Sequence, residues 1–280
     1  MLRSSPTIPA LLLATSTACA HPATTELTRE PAPSSSPADE ASEPAPAPAP
    51  LLTRDELEAI VAAPDREEGD RETDARRQPV DLLLFVGLRP GMRVADIGAG
   101  FGYTTELLAR AVGPQGTVYG QNPRFVLERF AEQGWSERLT KPVMANVVRL
   151  DREFDDPFPP ELHDLDAVIN VMFYHDFEWQ GVDRKAHLAA VYRALRPGGV
   201  YVIVDHSAAE GAGASGSETL HRIEEALVRA ELRDAGFEPS DEAAFLRNPA
   251  DTRDWNALPW RSGRDELSDR FVLSFRKPER

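Results

Sequence analysis

The residues best suited to chemistry in this chain fall into two groups. The first is His175-Asp176, Asp205-His206 and His221, three imidazoles with two carboxylates beside them. An imidazole of ordinary pKa takes or gives a proton near neutrality, and a neighbouring carboxylate fixes its orientation. His175 is therefore the candidate general base and Asp176 its orienting partner, with His206 and His221 on the same rim. The second group is "VADIGAGFGYTTELL", residues 94–108, an apolar run that reaches Asp96 and then Gly98, Gly100 and Gly102 at alternate positions. Such glycines let a strand turn tightly into a helix and bring backbone N–H groups against a ligand. A dinucleotide fingerprint needs its third glycine where Tyr103 stands, and a phosphate loop ends in Gly-Lys-Ser/Thr. The spacing excludes both and leaves another ligand, or a turn with none.

These residues need elements to hold them. Candidate strands are Arg93–Ile97, Thr117–Tyr119, Asn146–Leu150, Ala167–Val171, Val200–Val204 and Phe271–Phe275. Candidate helices are Tyr103–Val112, Phe125–Trp135, Arg184–Leu195 and Glu218–Ala235. "AVINV" and "VYVIV" are near-continuous apolar runs, as a parallel sheet covered on both faces requires. "RPGM" and "RPGGV" are turns that launch strands. Alternating strands and helices give an open, doubly wound α/β sheet, with the last strand entering antiparallel. Ligands of such sheets bind beyond the carboxyl ends of the strands. Those ends read Asp96-Ile97-Gly98, Gln121-Asn122, Asp151, Tyr174-His175-Asp176 and Asp205-His206, so both chemical groups converge on one edge. Upstream, "TRDELEAIVAA" carries a capping box in Thr53 and Glu56, "DREEGDRETDARRQ" reads as a loop or exposed helix, and Pro79 starts a short apolar helix. "SAAEGAGASGSET", between Asp205-His206 and His221, is a loop able to close over a substrate.

Composition bounds the rest. The chain has 280 residues, a formal net charge of −15 and one cysteine, enough for one sizeable domain with extra material at an end. The acidic balance and the lack of a basic stripe argue against a nucleic-acid partner. Residues 1–20 read as a signal peptide: Arg3, the apolar Ile8–Ala14, and small residues ending at Cys19. Cys19 after Ser16-Thr17-Ala18 resembles a bacterial lipoprotein box, which implies an exported, membrane-anchored protein; Ala18-x-Ala20 offers ordinary secretion instead. Residues 21–50 are a Pro/Ala-rich disordered linker, since 10 of the 24 prolines precede residue 51. The domain spans 51–280.

The motif D-x-G-x-G-x-G after an apolar strand, together with "LRPGMRVADIGAGFGYTTELLARAVGPQGTVYGQN", "LDAVINVMFYHD" and "ALRPGGVYVIVDH", resembles the class I S-adenosylmethionine-dependent methyltransferases. More narrowly it looks like a group of bacterial predicted methyltransferases with Gly-Tyr-Thr-Thr-Glu after the glycines and a later "LHR". The resemblance implies a Rossmann-like methyltransferase fold with a mostly parallel seven-stranded sheet, S-adenosylmethionine as cofactor and a small-molecule methyl acceptor. It implies that Asp96 holds the cofactor's amino group and that Gly98, Gly100 and Gly102 line its methionine and ribose. Tyr103 becomes a pocket wall and Asp151 a partner of the adenine amino group. Where the wider family has an acid for the ribose hydroxyls, this chain has Gln121 and Asn122, and Asn122 takes that role. "FLRNPAD" (245–251) with Arg253 resembles a stretch of the same group and offers substrate contacts. Tyr174 reads as a pocket wall, Trp135, Trp179, Trp255 and Trp260 as packing, and His163 and His187 as surface residues. The His/Asp rim also permits a metal site, but its spacing carries no metal signature and no metal is assigned. Two other functions compete: an exported binding protein on the same fold, and a metal- or His-dependent hydrolase using the rim. Binding of S-adenosylmethionine separates methyl transfer from both.

Overall fold

The three apolar runs lie side by side at the centre of one sheet. The computed structural model describes residues 49–263 and 267–279; the signal peptide and nearly all of the linker expected at the N-terminus lie outside the described residues. The strands are β1 (Arg93–Ile97), β2 (Thr117–Asn122), β3 (Val147–Asp151), β4 (Leu165–Val171), β5 (Leu195–His206), β6 (Glu238–Ala243) and β7 (Arg270–Arg276). Their order is β3-β2-β1-β4-β5-β7-β6. The first five in that order run parallel, while β7 is antiparallel to β5 and β6 antiparallel to β7. The chain moves outward from β1 on one side and returns to β4 on the other, which makes the β1/β4 boundary the switch point where such folds bind ligands.

The helices are α1 (Arg54–Val61), α2 (Glu68–Arg77), α3 (Pro79–Val86), α4 (Tyr103–Val112), α5 (Arg124–Val126), α6 (Glu132–Leu139), α7 (Asp176–Trp179), α8 (Arg184–Ala194), α9 (Ser217–Leu220) and α10 (Glu225–Asp234). The capping box forms, with Glu56 N–H donating to Thr53 Oγ1 and Thr53 N–H to Glu56 Oε2. Strand side chains alternate between two cores. Val94, Ala167 and Ile169 pack with Leu83, Leu107 and Trp135, whereas Ala95, Ile97 and Val168 pack with Phe154, Phe177, Leu188 and Tyr201.

Four elements depart from expectation. The strand β6, "EPSDEA", is absent from the sequence reading because it is exposed and acidic; it is held by pairing with β7 at the sheet edge, where charge discourages further strand addition. The helix expected over 125–135 is interrupted by a π-turn at Leu127–Ala131. The charged segment after α1 forms α2, with Arg66 and Asp70 buried rather than solvated. The helix expected over 218–235 breaks at His221, which is left-handed with φ 53°. After that break Ile223 N–H donates to His206 O at 3.0 Å and Ala208 N–H to Ile223 O at 2.9 Å. The chain there lies beside the exit of β5 instead of coiling.

Candidate active site

The glycine loop leaves β1 at the switch point. All three glycines have positive φ: 68° at Gly98, 57° at Gly100 and 88° at Gly102. Their surroundings differ. A Cβ on Gly98 would come 2.5 Å from the Phe173 ring, and one on Gly102 would come 2.6 Å from the Trp135 ring, whereas one on Gly100 would meet nothing within 4 Å. Two glycines thus make room for aromatic rings, and Gly100 alone faces open space.

The amides after β2 brace this loop. Gln121 Oε1 accepts from Gly98 N–H at 3.1 Å while its Nε2 donates to Arg152 O at 2.5 Å. Asn122 Oδ1 accepts from Gly100 N–H at 2.8 Å and its Nδ2 donates to Gly100 O at 3.0 Å. That two-way exchange needs a donor and an acceptor on one side chain, which an amide has and a carboxylate lacks. The need explains why Asn122 stands where an acid was expected. Asn122 is fully buried, and the exchange with Gly100 uses one lone pair of Oδ1 and one proton of Nδ2, leaving one of each outside it.

Asp96 is buried beneath the loop and accepts from Thr105 Oγ1 at 2.6 Å. Burial pushes its carboxyl up to about 7, against the lowering effects of Thr105 and Arg77. Arg77, from the end of α2, lies over the Tyr103 ring at 5.0 Å, and burial lowers its pKa against the pull of Tyr103 and Asp96. The Tyr103 hydroxyl donates to Asp74 Oδ1 at 2.7 Å, so this side chain fastens α2 over the loop as well as walling it. Asp151, at the outer strand β3, is about half exposed and accepts from Arg149 Nε at 2.7 Å.

The second group gathers past β4 and β5. His175 is 1% exposed, with Nδ1 2.7 Å from Asp205 Oδ1, while its backbone N–H donates to Asp205 Oδ2 at 2.8 Å. Its Nε2 lies 3.0 Å from Asp176 Oδ1 and 3.2 Å from His221 Nδ1. Burial opposes charge on this imidazole, but Asp205 and Asp176 outweigh burial and raise its pKa to about 10. Asp176 is held far below the usual carboxylate range: burial alone would raise it, and the His175 and His221 hydrogen bonds prevail. Burial and the positive neighbours push His206 well below its ordinary value, and its Nδ1 lies 2.6 Å from Ser268 Oγ. The structure therefore brings His175, Asp176, His206 and His221 together, yet it commits both ring nitrogens of His175. Phe173, two residues before His175, is the ring that Gly98 accommodates, and it joins the two groups.

Several residues differ from expectation. His187 is not on the surface: α8 turns it into the core, where Nδ1–H donates to Phe154 O at 2.6 Å and Nε2 lies 2.8 Å from Tyr201 Oη, with burial holding it down at about 4. "FLRNPAD" forms a clamp. Asp251 pairs at 2.8 Å with Arg222, which is fully buried and also donates to Ser207 O and Trp255 O. Asn248 N–H and Arg253 meet Asp269. The loop after His206 is tied at Gly211 and Gly213, whose N–H groups donate to the Glu224 carboxylate. Thr105, Arg77 and the bracing role of Gln121 escaped the sequence reading, because nothing in spacing separates them from ordinary helix and strand residues.

Residues 95–203 match the family described as a methyltransferase domain. That match spans 109 of the 280 residues, and over them the chain is similar to a methyltransferase domain. Among curated proteins, the ubiquinone/menaquinone biosynthesis C-methyltransferase UbiE of Burkholderia orbicola is 32% identical over 126 residues, 45% of this chain and 47% of that one. The matched segment is thus less than half the length of such relatives. Solved structures agree on the fold. An S-adenosylmethionine-dependent methyltransferase from Aquifex aeolicus superposes with a TM-score of 0.53 at 18% identity, covering 80% of this chain and 98% of that one. A candidate sarcosine dimethylglycine methyltransferase from Galdieria sulphuraria gives 0.54 at 17% identity, covering 81% and 98%.

Proposed function

We propose that this protein transfers a methyl group from S-adenosylmethionine to a small-molecule acceptor bound against the His/Asp cluster. One observation carries the reading. Gly100 is left-handed and open at the switch point, four residues after a buried carboxylate, where the backbone can approach a ligand closely with no side chain in the way. The residues present fit the cofactor. Asp96 complements an ammonium and Arg77 a carboxylate, the two charges of an amino-acid end, and the spare donor and acceptor of Asn122 suit a pair of hydroxyls. Gly98 and Gly102 shape the loop from behind, and Asp151 remains the candidate for the adenine amino group. When bound, the cofactor supplies an electrophilic methyl carbon on a sulfonium. The chain's own work is positioning and desolvation. Because both His175 nitrogens are engaged, His175 orients the cluster, and His206, the imidazole outside the Asp176 contacts, is the one left to accept a proton from an acceptor. Isothermal titration of the full chain with S-adenosylmethionine tests the reading: stoichiometric heat supports it, and absence of both heat and a thermal shift sinks it.

Export as a lipoprotein is proposed on the sequence of residues 1–20 alone. Labelling cells with a palmitate analogue should mark the wild-type chain and leave a Cys19→Ala variant unmarked; an unlabelled wild type rejects the anchor.

A further inference from the structure

We propose that His175, Asp176 and His221 form a binding site for a divalent first-row transition-metal cation of the zinc and ferrous class. The proposal concerns metal binding and stands independently of methyl transfer.

Three ligating atoms converge there. His175 Nε2 is 3.0 Å from Asp176 Oδ1 and 3.2 Å from His221 Nδ1, and His221 Nδ1 is 3.3 Å from Asp176 Oδ1. The triangle is nearly equilateral. Adjacent donors around an ion with bonds of about 2.0–2.1 Å stand about 2.9–3.4 Å apart, depending on whether the ion is octahedral or tetrahedral. All three edges fall in that range.

Each ligand is also oriented from behind. The Asp205 carboxylate holds His175 through Nδ1 at 2.7 Å, which turns Nε2 toward the triangle; a carboxylate on the far nitrogen is the usual support of a metal-bound histidine. Trp179 Nε1 donates to Asp176 Oδ1 at 2.7 Å and fixes that oxygen. His221 reaches the triangle because the helix breaks there with φ 53°. A non-glycine residue in that conformation is strained, so something at this position offsets the strain. Nε2 of His221 is buried with no partner among the described residues, which leaves Nδ1 as the nitrogen through which this ring is held.

Charge and ligand type point the same way. With neutral imidazoles the cluster holds two carboxylates, the buried Asp205 and the partly buried Asp176, whose charge a divalent cation cancels. Without a cation, two imidazole nitrogens crowd one carboxylate oxygen that already accepts from Trp179. Two nitrogens and one carboxylate oxygen suit zinc or ferrous iron; magnesium and calcium prefer all-oxygen sites. Three protein ligands leave further positions for water or another ligand. The ligands come from the turn after β4, the start of α7 and the break after α9, so no sequence spacing announces them.

The test uses the full chain, stripped with chelator and dialysed. Titration with Co2+ should give one equivalent bound with visible d–d absorption, whose intensity reports tetrahedral or octahedral geometry. Zn2+ should displace Co2+ one for one and raise the melting temperature, while Mg2+ at the same concentration should do neither. His221→Gln should lose the visible band, and His163→Ala, at an exposed histidine, should keep it. A wild type that retains no stoichiometric metal and shows no Co2+ band overturns the proposal, and the cluster is then a hydrogen-bonded knot only. Stabilisation by Mg2+ equal to that by Zn2+, or a His221→Gln protein that still folds and keeps the band, overturns it as well. Should His221→Gln fail to fold, the wild-type stoichiometry and the Mg2+ comparison decide alone.

Discussion

Single residues divide the site's work in ways that substitution can separate. Gly100→Ala places a methyl group in open space, whereas Gly102→Ala drives one into the Trp135 ring at 2.6 Å. Both pay a left-handed cost of about 1–2 kcal/mol, but only Gly102→Ala adds the overpacking cost of about 1–3 kcal/mol. Chemical denaturation should show Gly102→Ala as the less stable protein, and calorimetry should show Gly100→Ala folded but unable to bind S-adenosylmethionine. Equal stabilities would mean that the loop relaxes away from Trp135. Asp96 makes a pH prediction. Its carboxyl titrates at about 7 in the folded chain, against about 3.9 when unfolded. Between those values the native state binds the extra proton, so its contribution to stability falls as pH rises from about 4 to 7 and is flat above. Asp96→Asn removes that fall. Its stability relative to wild type should climb between pH 4.5 and pH 8 in urea titrations, while cofactor binding is lost. A difference independent of pH would show that Asp96 ionises normally.

At the scale of elements, the break after α9 decides where His221 sits, and Arg222 holds the break. The Arg222 guanidinium is fully buried, pairs with Asp251 and stacks over Trp255 at 4.8 Å. Removing it leaves Asp251 as an uncompensated buried charge, so Arg222→Met should cost about 3–5 kcal/mol in denaturant, and Arg222→Met/Asp251→Asn should recover part of that loss. No recovery in the double variant would place the cost in packing and not in charge. The same break shows what a sequence discloses. Central strands and the glycine loop were legible, because apolar runs and alternate glycines report local requirements of backbone and burial. The His221 turn was not, since "ETLHRIEEAL" has helical character and the departure is set by backbone pairing with the exit of β5. Strand β6 stayed hidden for a related reason: an exposed edge strand needs no apolar pattern. His187 misled through its polarity, which the Phe154 carbonyl and Tyr201 satisfy inside the core. The convergence of His175, Asp176 and His221 is likewise a product of tertiary structure, although each residue was singled out on its own.

For the molecule as a whole, two kinds of electrostatics act in opposite directions and respond differently to salt. The formal charge of −15 makes the chain repel itself, an effect that reaches far at low ionic strength. Within the domain, by contrast, Arg138 meets Asp70 at 2.6 Å and Glu106 at 2.7 Å, and Lys141 and Arg110 each reach Glu106 at 2.7 Å. This network fastens α2, which carries Arg77, to α4 and α6 across the side of the domain that holds the glycine loop. It is buried, with Glu106 1% exposed, so mobile ions screen it weakly. Raising sodium chloride from about 0.01 M to 0.2 M shortens the screening length from about 30 Å to below 10 Å, and should raise the melting temperature by relieving the long-range repulsion. Arg138→Met should destabilise the protein by about 3–5 kcal/mol, by stranding Asp70 and taking one of three cations from Glu106, and that loss should be the same at both salt concentrations. A loss that shrinks as salt rises would mean that the network behaves as surface charge, and α2 would then be held over the loop by Tyr103 and its apolar neighbours instead.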